Sequence, residues 1–124
     1  MQIFCAIRAE KKEFLLAPLE SLDAPEAVLA QSQHMSVMVF KHSRLCGISH
    51  RARREVEQFA ALTLFPVYEV VVQTARPVSD AIAQRLGIAH ASPQVLLVYR
   101  EHVSFHASHD AITCQALLEA AQRV

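Results

Sequence analysis

The 124-residue sequence predicts an α/β domain in which a central mixed sheet of four to five strands carries helices on both faces. Three features carry that prediction. Val37-Met38-Val39-Phe40 is a continuous apolar run of strand length, and Val67 to Val72 is a second, β-branched run, the pattern of strands covered on both faces. Between them, from Cys46 to about Leu62, the apolar side chains Ile48, Ala52, Val56, Phe59 and Ala60 fall at helical spacings. Near the C-terminus, Val95 to Tyr99 and His102 to Ala107 are separated only by Arg100 and Glu101, which reads as an antiparallel hairpin, although the turn lacks the preferred glycine.

The remaining elements fit around these. Ile3 to Ile7 is a short apolar run of strand type, followed by the charged stretch Glu10 to Glu13. Phe14 to Leu19 reads as a short strand interrupted by Pro18. Asp23 is placed to cap a helix that has Pro25 in its first turn and continues through Ala27, Val28, Leu29 and Ala30. Pro77 starts a helix with Val78, Ile82 and Leu86 on one face, and Gly87 ends it. Thr113 caps a last helix carrying Leu117, Leu118 and Ala121. Only two glycines occur, Gly47 and Gly87, and each is expected to mark a definite backbone event. The alternation of strands and helices requires right-handed crossovers and a parallel core, to which the hairpin adds antiparallel strands. That is the thioredoxin-like architecture, expected over residues 14–124, with residues 1–13 as an N-terminal extension that supplies an extra strand.

Composition narrows the function. With 52% hydrophobic residues and a formal net charge of zero, the chain suits one compact domain, and neither a nucleic-acid partner nor a membrane partner is indicated. The N-terminal apolar run is too short for a signal sequence and no stretch is long enough to span a bilayer, so a cytoplasmic location is expected. The three cysteines, Cys5, Cys46 and Cys114, form no CxxC pair, and a disulfide framework does not fit that count.

Cys46 stands apart from the other two. It follows a buried strand and opens a helix, where unpaired backbone N–H groups and the positive end of the helix dipole favour a thiolate. The N–H groups of Gly47 and Ile48 belong to that first turn, and Ser49 can turn its hydroxyl toward the sulfur. Lys41, Arg44, Arg51, Arg53 and Arg54, with His42 and His50, form a basic run around it. Such surroundings bring a cysteine from ~8.5 into the range of roughly 3.5–7.5. Cys46-Gly47-Ile48-Ser49 is a CxxC pattern with serine in the second position, so exchange must be completed by a small thiol or a separate reductant. Arg76 stands just past the end of a parallel strand, the edge at which open α/β sheets bind ligands. His102, His106 and His109 cluster in sequence, but His109 lies beyond the strand that holds the other two, and no cysteine or acid completes a four-ligand spacing. No metal site is expected. Cys5 reads as structural, and Cys114, at the start of the last helix, is left open as a resolving thiol.

With these residues in place the sequence resembles the monothiol bacilliredoxins, bacterial relatives of thioredoxin that serve the bacillithiol system. The matching stretches are Phe40-Lys41-His42-Ser43 leading to Cys46 and Ile48-Ser49, and Arg76-Pro77-Val78-Ser79. They continue in His90-Ala91-Ser92-Pro93-Gln94 and in His106-Ala107-Ser108-His109 with Ile112-Thr113 beyond. The resemblance covers roughly Pro18 to Leu118. It implies thiol–disulfide exchange that removes bacillithiol from mixed disulfides on oxidised client proteins. Cys46 would be the nucleophile and Pro93 a cis proline. Lys41, His42, Arg44, Arg76, Ser92, Pro93 and His109 would contact the thiol or client. No tightly bound cofactor is implied, bacillithiol being a co-substrate. Two other readings stay open. Cys-Gly-x-Ser is also the motif of monothiol glutaredoxins, which bind glutathione and an iron–sulfur cluster, and a thioredoxin-like adaptor could carry an incidental cysteine.

Overall fold

The structure, a computed structural model, describes residues 15–124. The run Ile3–Ile7, Cys5 and the 1–13 extension lie outside the described residues. In chain order the elements are β1 (Ala17–Pro18), α1 (Ala24–Ser32), β2 (Val37–His42), α2 (Gly47–Leu62), β3 (Val67–Val71), α3 (Val72–Leu86), β4 (Gln94–Tyr99), β5 (His102–Ser108) and α4 (Cys114–Gln122). A 3₁₀ turn at His109–Ala111 joins β5 to α4.

The five strands form one sheet in the order β1-β3-β2-β4-β5. β1, β3 and β2 are mutually parallel, while β4 runs antiparallel to β2 and β5 antiparallel to β4. β2 is therefore central, and the predicted two-sided burial holds along it: all four residues of Val37–Phe40 are fully buried. Alternation along β2 divides the core. Met38 and Phe40 pack with Val56 and Phe59 of α2 and Leu117 of α4, whereas Val37 and Val39 pack with Val28 and Leu29 of α1 and Val78 and Ile82 of α3. The same alternation sends Lys41 toward α3 and His42 toward α2.

Several elements differ from the sequence reading in detail. β1 is only two residues long, an edge position where Pro18 removes no needed donor. Asp23 holds the cap position of α1 without a side-chain cap bond, and its carboxylate accepts the Ser21 hydroxyl at 2.5 Å. The buried stripe of α2 is Ser49, Ala52, Val56 and Phe59, with Ile48 turned outward. Helix α3 opens with a short turn from Val72, directly after β3, and breaks at Ala75 (φ −139°, ψ 38°); its longer part then starts at Pro77, as the sequence predicts. A straight helix would drive the Pro77 ring into the Gln73 carbonyl, so the chain kinks first. Gly87 ends α3 in the left-handed region at φ 75°, as expected. Gly47 has no such conformation, and a Cβ placed there would meet nothing within 4 Å, so its backbone does not require glycine. Thr113 Oγ1 accepts the Ala116 N–H at 3.1 Å, the predicted cap.

The β4–β5 turn shows how a glycine-free hairpin closes. Arg100 and Glu101 both take positive φ, 50° and 66°. Their N–H groups are held by one buried residue of α1: Arg100 N–H donates to the Ser32 carbonyl at 2.7 Å and Glu101 N–H to the Ser32 hydroxyl at 3.0 Å. Left-handed backbone costs a non-glycine residue roughly 1–2 kcal/mol. Glu101→Gly is therefore expected to raise unfolding free energy by about 0.5–1 kcal/mol once the entropy of the added glycine is subtracted. Urea unfolding checks this, and a destabilised variant would contradict the account of the turn.

Candidate functional site

The C-terminal ends of β2 and β3, the N-terminal end of β4 and the C-terminal end of β5 meet at one end of the sheet, because Lys41 pairs with Gln94, His42 with Val71 and Gln94 with Ser108. The residues singled out in the sequence converge there. Cys46 is the N-cap of α2 in extended conformation (φ −114°, ψ 121°), partly buried, with a free thiol. The first intrahelical bond runs from His50 N–H to the Cys46 carbonyl at 3.1 Å. The N–H groups of Gly47, Ile48 and Ser49 thus precede the helix ladder and form its positive end. Leu45, 87% exposed, and Ile48, 43% exposed, flank the sulfur-bearing residue with apolar surface.

Ser49 is fully buried, and its hydroxyl is engaged away from the position expected for it. It accepts the Ser43 N–H at 2.9 Å and pairs with His42 Nδ1 at 2.7 Å. Gln73, at the start of α3, grips the same loop twice: its Oε1 accepts the Arg44 N–H at 3.0 Å and its Nε2 donates to the Ser43 hydroxyl at 2.9 Å. His50 Nε2 lies 2.7 Å from the Arg44 carbonyl. Three side chains thereby hold Ser43 and Arg44, and with them the approach to Cys46. Nothing in the sequence marked Gln73, which lies about thirty positions from its partners, and His50 was marked only as part of the basic run.

Two residues expected to face a ligand are instead inside. Lys41 is fully buried, and its ammonium donates to the Ser79 carbonyl at 3.0 Å. Burial pushes its pKa down to about 8, with Asp80 opposing and Arg76 reinforcing the fall. His42 is 3% exposed, its ring stacked on Phe40 at 5.6 Å and met edge-on by His50 at 5.0 Å. Neither reaches solvent, because strand β2 is covered by helices along its whole length. Beneath the same turn, Arg53 donates to both oxygens of Glu69, at 2.7 and 3.4 Å. That bond to Glu69 raises the Arg53 pKa.

The other predicted residues are at the surface of this end. Arg44 is exposed, and Arg76 is exposed while bonded to Asp80 at 2.9 Å. That bond holds the Asp80 carboxyl below its ordinary range. The Ser92–Pro93 peptide is cis. His109, at φ 55°, donates its N–H to the Pro93 carbonyl at 3.1 Å and so sits beside it. The Ser92 hydroxyl is buried without a hydrogen-bond partner, as is Gln94 Oε1. On the far side of that strand end, Ser79 Oγ lies 3.0 Å from His90 Nδ1, and burial lowers the His90 pKa. Cys114 is half-buried at the start of α4, where its N–H donates to Glu55 Oε1 at 2.9 Å. Desolvation, with the Glu55 charge, pushes that thiol up, away from the reactive range.

A mixed five-stranded sheet, a cysteine at the N-cap of the helix after its central strand and a cis proline immediately before β4 are the features of the thioredoxin fold, the class of thiol-redox proteins. The family described as Monothiol bacilliredoxin BrxC matches residues 17–117, and the chain belongs to that family. Among solved structures, one presented as a candidate oxidoreductase with a thioredoxin fold is 29% identical, with a TM-score of 0.77 over 86% of this chain and 93% of its own. The thioredoxin of Fasciola hepatica (16% identity, TM-score 0.68, 87% and 98% covered) and the short form of spinach chloroplast thioredoxin f (17%, 0.66, 87% and 91%) share the fold. Family and fold together support a thiol-redox function. Among the described residues no helix is long and apolar enough to cross a membrane.

Proposed function

We propose that the protein strips bacillithiol from mixed disulfides on oxidised client proteins in the bacterial cytoplasm. The Cys46 thiolate attacks the bacillithiol sulfur, and the client sulfur leaves as its thiolate and takes up a proton. Cys46 remains joined to bacillithiol. A second bacillithiol thiolate then displaces Cys46, and the two small thiols depart as their disulfide, so two electrons pass from bacillithiol to the client. The observation that carries this reading is the occupant of the fourth position of the motif: Ser49, buried and hydrogen-bonded, stands where a resolving cysteine would be needed for internal closure. Closure within the motif is therefore excluded, and in this reading an outside thiol releases the capped intermediate.

Partner choice follows from charge. Bacillithiol carries two malate carboxylates, and Arg44 and Arg76 are exposed cations at this end, suited to forked carboxylate contacts. Leu45 and Ile48 offer apolar surface to the client. A bacillithiol-capped test substrate should be reduced faster than its glutathione-capped counterpart, and Arg76→Ala should narrow the gap by ~1–2 kcal/mol if its guanidinium binds a carboxylate. Stopped-flow measurement on the two substrates decides the matter. Preference for glutathione, or a coloured cluster after treatment with iron and sulfide, would transfer the protein to the glutaredoxin reading.

A further inference from the structure

We propose that His42 is a positioning residue for the Cys46 thiol: from beneath the first turn of α2 it sets the direction in which the Ser49 hydroxyl donates, and so whether that hydroxyl is available to the sulfur. This rests on the reading of Cys46 as the reacting thiol. Both partners are buried, His42 at 3% and Ser49 at 0% exposure, and their contact is 2.7 Å. A serine hydroxyl has one proton to give and two lone pairs to receive. One lone pair is taken by the Ser43 N–H. A neutral imidazole with its proton on Nε2 presents Nδ1 as an acceptor, and the Ser49 proton goes there. None is then left for the sulfur.

The alternative state reverses the bond. When the ring is protonated both nitrogens donate, Nδ1–H fills the second lone pair of Ser49, and the serine proton is released. Cys46 and Ser49 occupy the N-cap and third positions of α2, so the hydroxyl lies one turn along the helix from the residue that carries the sulfur. The freed hydroxyl then donates to the thiolate, which a hydrogen bond to the charged form stabilises. The groups facing the ring are Glu69 from β3, His50 and Arg53 from α2, and Arg44 from the preceding loop. Burial holds His42 below its ordinary range; Glu69 opposes the fall, though Arg53 occupies both its oxygens, and the neighbouring His50, Arg53 and Arg44 reinforce it. At neutral pH the hydroxyl therefore rests on His42.

The test uses the full chain with Cys5→Ser and Cys114→Ser, so that iodoacetamide reads Cys46 alone, together with ¹⁵N spectra of the Ser43 amide. His42→Phe removes the acceptor and should make Cys46 react roughly threefold faster at pH 6, since its thiolate gains a charge-assisted bond. His42→Asn places an oxygen where Nδ1 stands and should restore most of the wild-type rate. In the parent the Ser43 amide should titrate in the acid range, and in His42→Asn that step should disappear. Because His42 acts through Ser49, the double variant His42→Phe/Ser49→Ala should match Ser49→Ala alone. Additive effects in the double variant, or an amide step that survives in His42→Asn, overturn the proposal. The Asn variant and the Ser49 variant decide it even where His42→Phe does not fold. Loss of the bacillithiol preference would leave this pattern standing, and additive effects here would leave that preference standing, so the two readings fall separately.

Discussion

Cys46→Ser is expected to abolish thiol–disulfide exchange, with a rate loss on the order of a thousandfold or more, because a serine hydroxyl is not ionised at neutral pH and cannot form the capped intermediate. Cys114→Ser is expected to keep the activity nearly intact. The contrast has a physical basis in where the two thiols sit. Cys46 opens a sixteen-residue helix whose first N–H groups are not yet engaged in the helix ladder. Cys114 opens a helix too, but there the Glu55 carboxylate takes its N–H and places a negative charge beside the sulfur. Exchange measured on a mixed-disulfide substrate, with circular dichroism to verify the fold, distinguishes them. Comparable losses in the two variants would mean that the reacting thiol has been misassigned or is shared.

The second large effect concerns stability and comes from Lys41. Its folded-state pKa of about 8 lies below the ordinary 10.5, so the unfolded chain holds the proton more tightly. The cost of burying the ammonium is fully present below pH 8. As pH rises from about 8 to 10.5 the unfolded state carries the extra proton, stability rises with pH, and above that window the cost is gone. Lys41→Met keeps the volume of the stem without the charge. The Ser79 carbonyl that it releases still lies within helix α3, where the backbone ladder supplies a donor. At pH 7 the variant should be roughly 2–3 kcal/mol more stable than the parent, and the difference should shrink toward zero near pH 11. Urea unfolding at the two pH values reads both quantities. A variant less stable at pH 7, or a gap that does not close with pH, would show that Lys41 is held by interactions stronger than its one hydrogen bond.

The sequence by itself determined the layout of this protein. Uninterrupted burial of Val37–Phe40, the helical spacing from Ala52 to Phe59, Pro77, Gly87 and Thr113 are local signals: each expresses a period, a missing N–H, a left-handed φ or a cap that operates over a few residues. The placement of Cys46 at a helix start followed from the same signals, and so did the match to a family of known motif order. Only the tertiary structure decided what surrounds that cysteine. Lys41 and His42 look like surface cations in a basic run, yet packing on both sides of β2 turns them into buried groups with one partner each side of the sheet. Gln73 and Ser32, unremarkable in sequence, hold the cysteine loop and the β4–β5 turn through contacts spanning about thirty and seventy positions. Such pairings depend on strand order and register, which bring distant residues together at the sheet ends, and no periodicity along the chain encodes them.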